Sequence, residues 1–137
     1  MNLPAKVYKG KICPYCGGKT EFVDSIEVYS ISYGMIYLCR PCKAWVGIHK
    51  DRNEALGRLA NSELREAKKE AHFYFDKLWS AKVEKGIKKG KARGKAYAWL
   101  SEQLGTKIEE THIGWFDVDM CKEVVNLCKP YVEKLGL

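Results

Sequence analysis

At 137 residues and 15.7 kDa the chain has room for one domain, or for one domain with a small appendage, and for a core that needs no staples. Hydrophobic residues at 46% and charged residues at 30% exclude wholesale disorder, and no apolar run approaches the ~20 residues of a membrane span. The formal net charge is +7. Residues 1–6 lack an apolar signal core, so the expected location is the cytoplasm of a bacterium or infected host, with no membrane partner.

The first motif is Cys13-Pro14-Tyr15-Cys16-Gly17-Gly18, and Cys39-Arg40-Pro41-Cys42 repeats it after 22 intervening residues. Each CxxC lets a tight turn aim two thiolates at one point, while backbone N–H groups in the turn bond the sulfurs. Two such turns brought face to face by a β-hairpin predict one closed, structural S₄ zinc site formed by Cys13, Cys16, Cys39 and Cys42. A redox CxxC needs a single motif between a strand and a helix, which this pattern is not. Iron could occupy the same geometry.

Between the turns, residues 21–29 are rich in β-formers, residues 32–35 read as a turn, and residues 35–38 lead into the second zinc turn. Residues 44–49 lead out of it. Trp45, Gly47 and His49 fall on one face of that strand, and Ala44, Val46 and Ile48 on the other, which is expected to pack inward. This is a zinc ribbon. Its Trp45 face is expected either to be covered by a helix or to remain a platform.

Asn53 is expected to cap a short helical stretch over residues 54–59. Asn61 or Ser62 caps a longer helix to about Ser80, with Leu64, Ala67, Ala71, Phe75 and Leu78 on its apolar face and Phe73, Tyr74 and Trp79 widening it. Residues 81–93 carry Gly86 and Gly90 and are expected to form a loop, entering a second helix near residues 90–95 that ends at Gly105. A third helix opens at Asp117. Its stripe of Cys121, Val124, Val125, Cys128, Tyr131, Val132 and Leu135 contains Pro130, which is expected to kink or split it. Cys121 and Cys128 are small core residues on this pattern.

The charge is concentrated. Residues 81–97 hold Lys82, Lys85, Lys88, Lys89, Lys91, Arg93 and Lys95 against Glu84 alone, whereas residues 98–137 sum to −3. Such a block either forms a solvated surface or meets an anion, usually phosphate. Tyr15 and Tyr33, at turn positions, could stack unpaired bases, whereas Trp45, Trp79, Trp99 and Trp115 are expected to serve in packing. His49, His72 with Asp76 one helical turn on, and His112 are the candidates for a catalytic or second metal site. No linear catalytic signature accompanies them.

The strings CPYCGG, ISYGMIYLCRPCKAWVGIHK, AHFYFDKLW and HIGWFD carry a resemblance. From about Ile12 to Cys128 the chain resembles a family of small zinc-finger proteins from phages and bacteria. The resemblance implies a zinc ribbon fused to helices and supplies no activity.

The expected architecture is α+β: a ribbon over residues 1–52 packed on about three helices in residues 53–137, the two parts sharing one core. The expected function is a zinc-stabilised nucleic-acid-binding accessory or regulatory module, phage- or prophage-borne. The alternative is a protein-interaction factor acting on a host or phage protein. A third possibility is an enzyme using the His/Asp residues.

Overall fold

The computed structural model describes residues 9–137. The expectation for the N-terminal residues 1–6, and the first part of the 1–52 ribbon, lie outside the described residues. The chain divides into two compact units, Met1–Arg65 and Glu66–Leu137, and the division falls inside one helix.

In the first unit three antiparallel strands lie in sequence order: β1 (Glu21–Asp24), β2 (Met35–Cys39) and β3 (Ala44–Gly47). The central strand is the most apolar of the three, and Ile36, Tyr37, Leu38 and Cys39 are all buried. Tyr37 pairs with Phe22 on β1 and Val46 on β3, and its hydroxyl donates to the Asn53 carbonyl. The β-rich stretch after Glu21 stops at Asp24, short of the expected Tyr29. The Asp24 carboxylate accepts from the Ile26 N–H and caps a 3₁₀ turn, Ser25–Glu27. Buried Ser25 then accepts from the Tyr33 N–H through Oγ. Short polar side chains here outcompete the ladder for backbone groups.

The helix expected over residues 54–59 does not form. Residues 54–60 instead return along the outer edge of β3. Leu56 N–H donates to the Gly47 carbonyl, His49 N–H donates to the Glu54 carbonyl, and Ala60 and Trp45 exchange two backbone bonds. An open sheet edge offers unpaired donors and acceptors at fixed spacing, and a short segment containing Gly57 satisfies them better than an isolated helical turn would. Trp45 is covered. The Arg65 guanidinium lies 3.6 Å from its ring centroid, and its Nε1–H donates to the Tyr29 hydroxyl over 2.9 Å.

Helix α1 (Ser62–Glu84) is capped by Asn61, whose Oδ1 accepts from the Leu64 N–H. It runs past the expected Ser80. Gly86, at φ +99°, ends it, and the Ile87 N–H reaches back to the Lys82 carbonyl. A left-handed residue at this position favours glycine because a Cβ would crowd the carbonyl.

Helix α2 (Lys89–Leu104) starts beside the expected entry near residues 90–95, but only residues 85–88 connect the two helices, a shorter loop than the expected 81–93. Gly90 and Gly94 each cost about 1 kcal/mol relative to Ala in a helix. Burial of Ala92 and Leu100 on one face outweighs that. The start of α2 is poorly supported: Lys88 makes no side-chain cap bond, and the first turn contains no acid. The helix ends at Gly105, as expected.

Two 3₁₀ turns, Ile108–Glu110 and Ile113–Trp115, precede α3 (Val118–Lys134). Asp117 caps α3 through a bond from the Met120 N–H. Cys121, Val124, Cys128 and Val132 are its buried stripe. The helix is not split at Pro130; it continues as one segment to Lys134. Phe75, Leu100, Ile113, Phe116 and Val124 are fully buried and form the centre of the helical unit. Phe73, expected on the apolar face of α1, is exposed. The result is the expected α+β class: an antiparallel sheet carrying the cysteine cluster, and three helices. Among the described residues, no helix is long and apolar enough to cross a membrane.

Candidate metal centre

The first CxxC turn is closed by two backbone bonds, from Cys13 N–H to the Gly18 carbonyl (2.8 Å) and from Gly17 N–H to the Cys13 carbonyl (2.9 Å). Within it the Tyr15 N–H points at Cys13 Sγ and the Gly18 N–H at Cys16 Sγ, each at 3.4 Å. The second turn joins the end of β2 to the start of β3. The pairing of Cys39 with Ala44 therefore fixes where Cys39 and Cys42 stand.

The ligand atoms of Cys13, Cys16, Cys39 and Cys42 all lie within 4.8 Å of one another, and Cys16 Sγ is 3.7 Å from Cys39 Sγ. A tetrahedron with Zn–S bonds near 2.3 Å has sulfur–sulfur edges of about 3.8 Å. The donor set therefore fits a zinc ion, with the sulfurs drawing in where they stand wider than that edge. The thiols themselves are mismatched. The Gly18 N–H draws Cys16 below the ordinary thiol range, burial pushes Cys39 up, and hydrogen bonding to Cys16 together with burial pushes Cys42 up to about 12. Four sulfurs this close resist joint ionisation, and a divalent cation removes that resistance.

A family model described as a zinc-finger-containing domain matches residues 9–131. The chain belongs to this family. No curated protein and no solved structure matches it. Four clustered cysteines in a zinc-finger domain make this one structural zinc site, and four protein ligands leave no open position for a substrate.

The two turns of this zinc finger share a feature that spacing alone does not show. Four residues after the first cysteine of each turn the backbone is left-handed, at Gly17 (φ +75°) and at Lys43 (φ +50°). Only the second carries a Cβ in this conformation, at a cost of roughly 1 kcal/mol. Lys43→Gly should raise the denaturation midpoint of the zinc-loaded protein by the equivalent of up to ~1 kcal/mol, and Gly17→Ala should lower it by a similar amount. Paired thermal melts check both signs.

Elsewhere in the ribbon unit, Tyr15 is part-exposed, and its hydroxyl accepts from the Asn61 N–H, so that ring is tied to the start of α1. Tyr33 is 73% exposed and meets Tyr29 edge-on. Tyr29, Tyr33, Trp45, His49, Lys50 and Leu56 line an open groove of about 720 Å³.

In the helical unit, His72 Nδ1 stands 3.6 Å from Asp76 Oδ2, at the side of a shallow depression. Asp76 also accepts from Trp79 Nε1–H at 2.8 Å. His112 is exposed, with its ring 5.8 Å from that of Tyr97. Among the described residues, the four cysteines are the one group of three or more His, Cys, Asp or Glu side chains placed to share a metal.

Lys82 sits on the last turn of α1, Lys85 and Lys88 on the connection, and Lys89, Lys91, Arg93 and Lys95 on α2; all seven are exposed. Trp79 and Trp99, expected to be packing residues, are only half-buried and line a cavity of about 300 Å³. A tryptophan on an apolar stripe reads as core from sequence, and only the assembled helix pair reveals the space beside it.

Proposed function

We propose that this zinc-finger protein is a nucleic-acid-binding accessory or regulatory module, phage- or prophage-borne and working in the cytoplasm. One observation carries the reading: seven exposed cations, with Glu84 the one acid within residues 81–97, lie on two consecutive helix ends and the turn joining them. Helices hold charges at fixed spacing, which suits a phosphate backbone better than a mobile tail does. The zinc finger's part is to hold the ribbon folded.

Binding to single-stranded and duplex DNA and RNA should persist at physiological salt. Replacing Lys85, Lys89, Lys91 and Lys95 together by Glu should weaken it for all sequences alike. The slope of log K against log salt should fall by about 0.7–0.9 for each phosphate that is no longer neutralised. Binding seen only at low salt would be the general attraction of a +7 protein and would sink the reading.

The alternative is a protein-interaction factor acting on a host or phage protein. It draws support from the ribbon, where Ile26, Ile31, Tyr33 and Leu56 are each more than half exposed. Exposed apolar side chains in this number suit a protein surface. That alternative expects a stable complex with a specific protein and no nucleic-acid affinity at physiological salt.

A further inference from the structure

Between the end of α1 and α2 as far as Trp99 lies the cavity of about 300 Å³, lined by Leu78, Trp79, Ile87, Ala92, Ala96 and Trp99, with Lys82 and Lys95 also on its wall. We infer that this slot receives an unpaired base of a single-stranded nucleic acid, with the adjoining phosphates on Lys82 and Lys95. The inference rests on the nucleic-acid reading above and specifies how the strand is held.

The two indoles are braced by side chains that do not themselves line the slot. Trp79 donates to Asp76, and Lys89 Nζ and the Arg93 guanidinium stand 5.6 and 5.9 Å from its ring. Trp99 meets the Tyr131 ring edge-on at 5.6 Å. The walls therefore need little ordering when a ligand enters, which lowers the entropic cost of binding.

Three features select the occupant. The volume lies at the lower end of the range of small-ligand pockets, enough for one flat ring system. The lining is aromatic and aliphatic, which suits a stacked base of any identity. Every charged side chain on the wall is a lysine, and the surrounding surface adds Lys85, Lys88 and Lys91. An apolar peptide side chain would use the slot and leave those cations unpaired. A duplex would meet the cations and could not reach the slot, because its bases are stacked and paired.

The test compares Ala96→Phe, which fills the slot and leaves the charge unchanged, with the unmodified protein. The probes are an oligothymidylate of about 12 nucleotides, a duplex of equal length, and thymidine monophosphate, at physiological salt. The variant should bind the oligothymidylate about 5- to 100-fold more weakly and the duplex as before. Saturation of the unmodified protein with oligothymidylate should quench tryptophan emission more than the duplex does. Should Ala96→Phe misfold, by helical circular dichroism, that quenching decides the matter alone. Binding to the strand that ignores the substitution, or that leaves the emission unchanged, overturns the slot and leaves the nucleic-acid reading intact. Thymidine monophosphate binding as tightly as the strand overturns the strand as occupant. Absence of binding to every nucleic acid overturns the parent reading and the slot with it.

Discussion

Replacing Cys39 or Cys42 with Ser should abolish stoichiometric zinc binding and unfold the ribbon. Both residues stand at the junction of β2 and β3, so losing the metal there releases the two strands that form most of the sheet. Structural zinc sites in small fingers are worth about 10–16 kcal/mol at neutral pH, which matches or exceeds the whole stability of an ordinary domain. The purified protein should carry one zinc per chain, measured by elemental analysis, and the variants close to none. Loss of β signal in circular dichroism should accompany the loss of metal. Cys121→Ser is the control: the residue lies in the buried stripe of α3 and is not among the four clustered ligands, so zinc should remain. Full metal content after Cys39 and Cys42 are both replaced would refute the S₄ assignment. The metal should also be lost progressively in acid, because the sulfurs bind zinc only when deprotonated and protons compete for them.

Phe75→Ala should destabilise the helical unit by about 3–5 kcal/mol, a large fraction of the total. Phe75 is completely buried, and its ring centroid lies 4.6 Å from that of Tyr97 on α2. Truncation strips apolar packing from the ring's neighbours and leaves a void between two helices that cannot fully close. Phe73→Ala, two residues earlier on the same helix, should change stability by no more than about 0.5 kcal/mol, since that ring is 56% exposed. Urea denaturation of the two variants provides the comparison. Equal effects would contradict the placement of the core.

The zinc ligands are legible in the sequence because a CxxC turn is local chemistry, complete within six residues. The helix starts at Asn61 and Asp117 and the stop at Gly105 are legible for the same reason: a cap is made by the residues next to it. The fate of residues 54–60 is not legible, since it depends on the open edge of β3, a feature that exists only once the sheet has formed. The shortness of the connection before α2 is hidden by Gly90 and Gly94, whose weak propensity is overridden by the burial of Ala92 and Leu100. Phe73 and Phe75 are equally apolar in sequence, and tertiary packing alone tells them apart. In the candidate nucleic-acid surface the cations are visible as composition, but the slot beside Trp79 is a property of two helices and of the space left between them.

At the start of α2, Lys88 sits at the cap and Lys89 and Lys91 in the first turn, at the positive end of the helix dipole. Lys89 with Arg93, and Lys91 with Lys95, are like charges one turn apart, and each such pair opposes the helix by a few tenths of a kcal/mol. The segment is electrostatically frustrated, held in helical form by its buried face against its own charges. Simple salt, which weakens most surface ion pairs, here screens a repulsion, so raising the ionic strength should tighten this turn instead of loosening it. A polyanion lying along it would do the same more strongly, and the strain held in the free protein would then count toward binding.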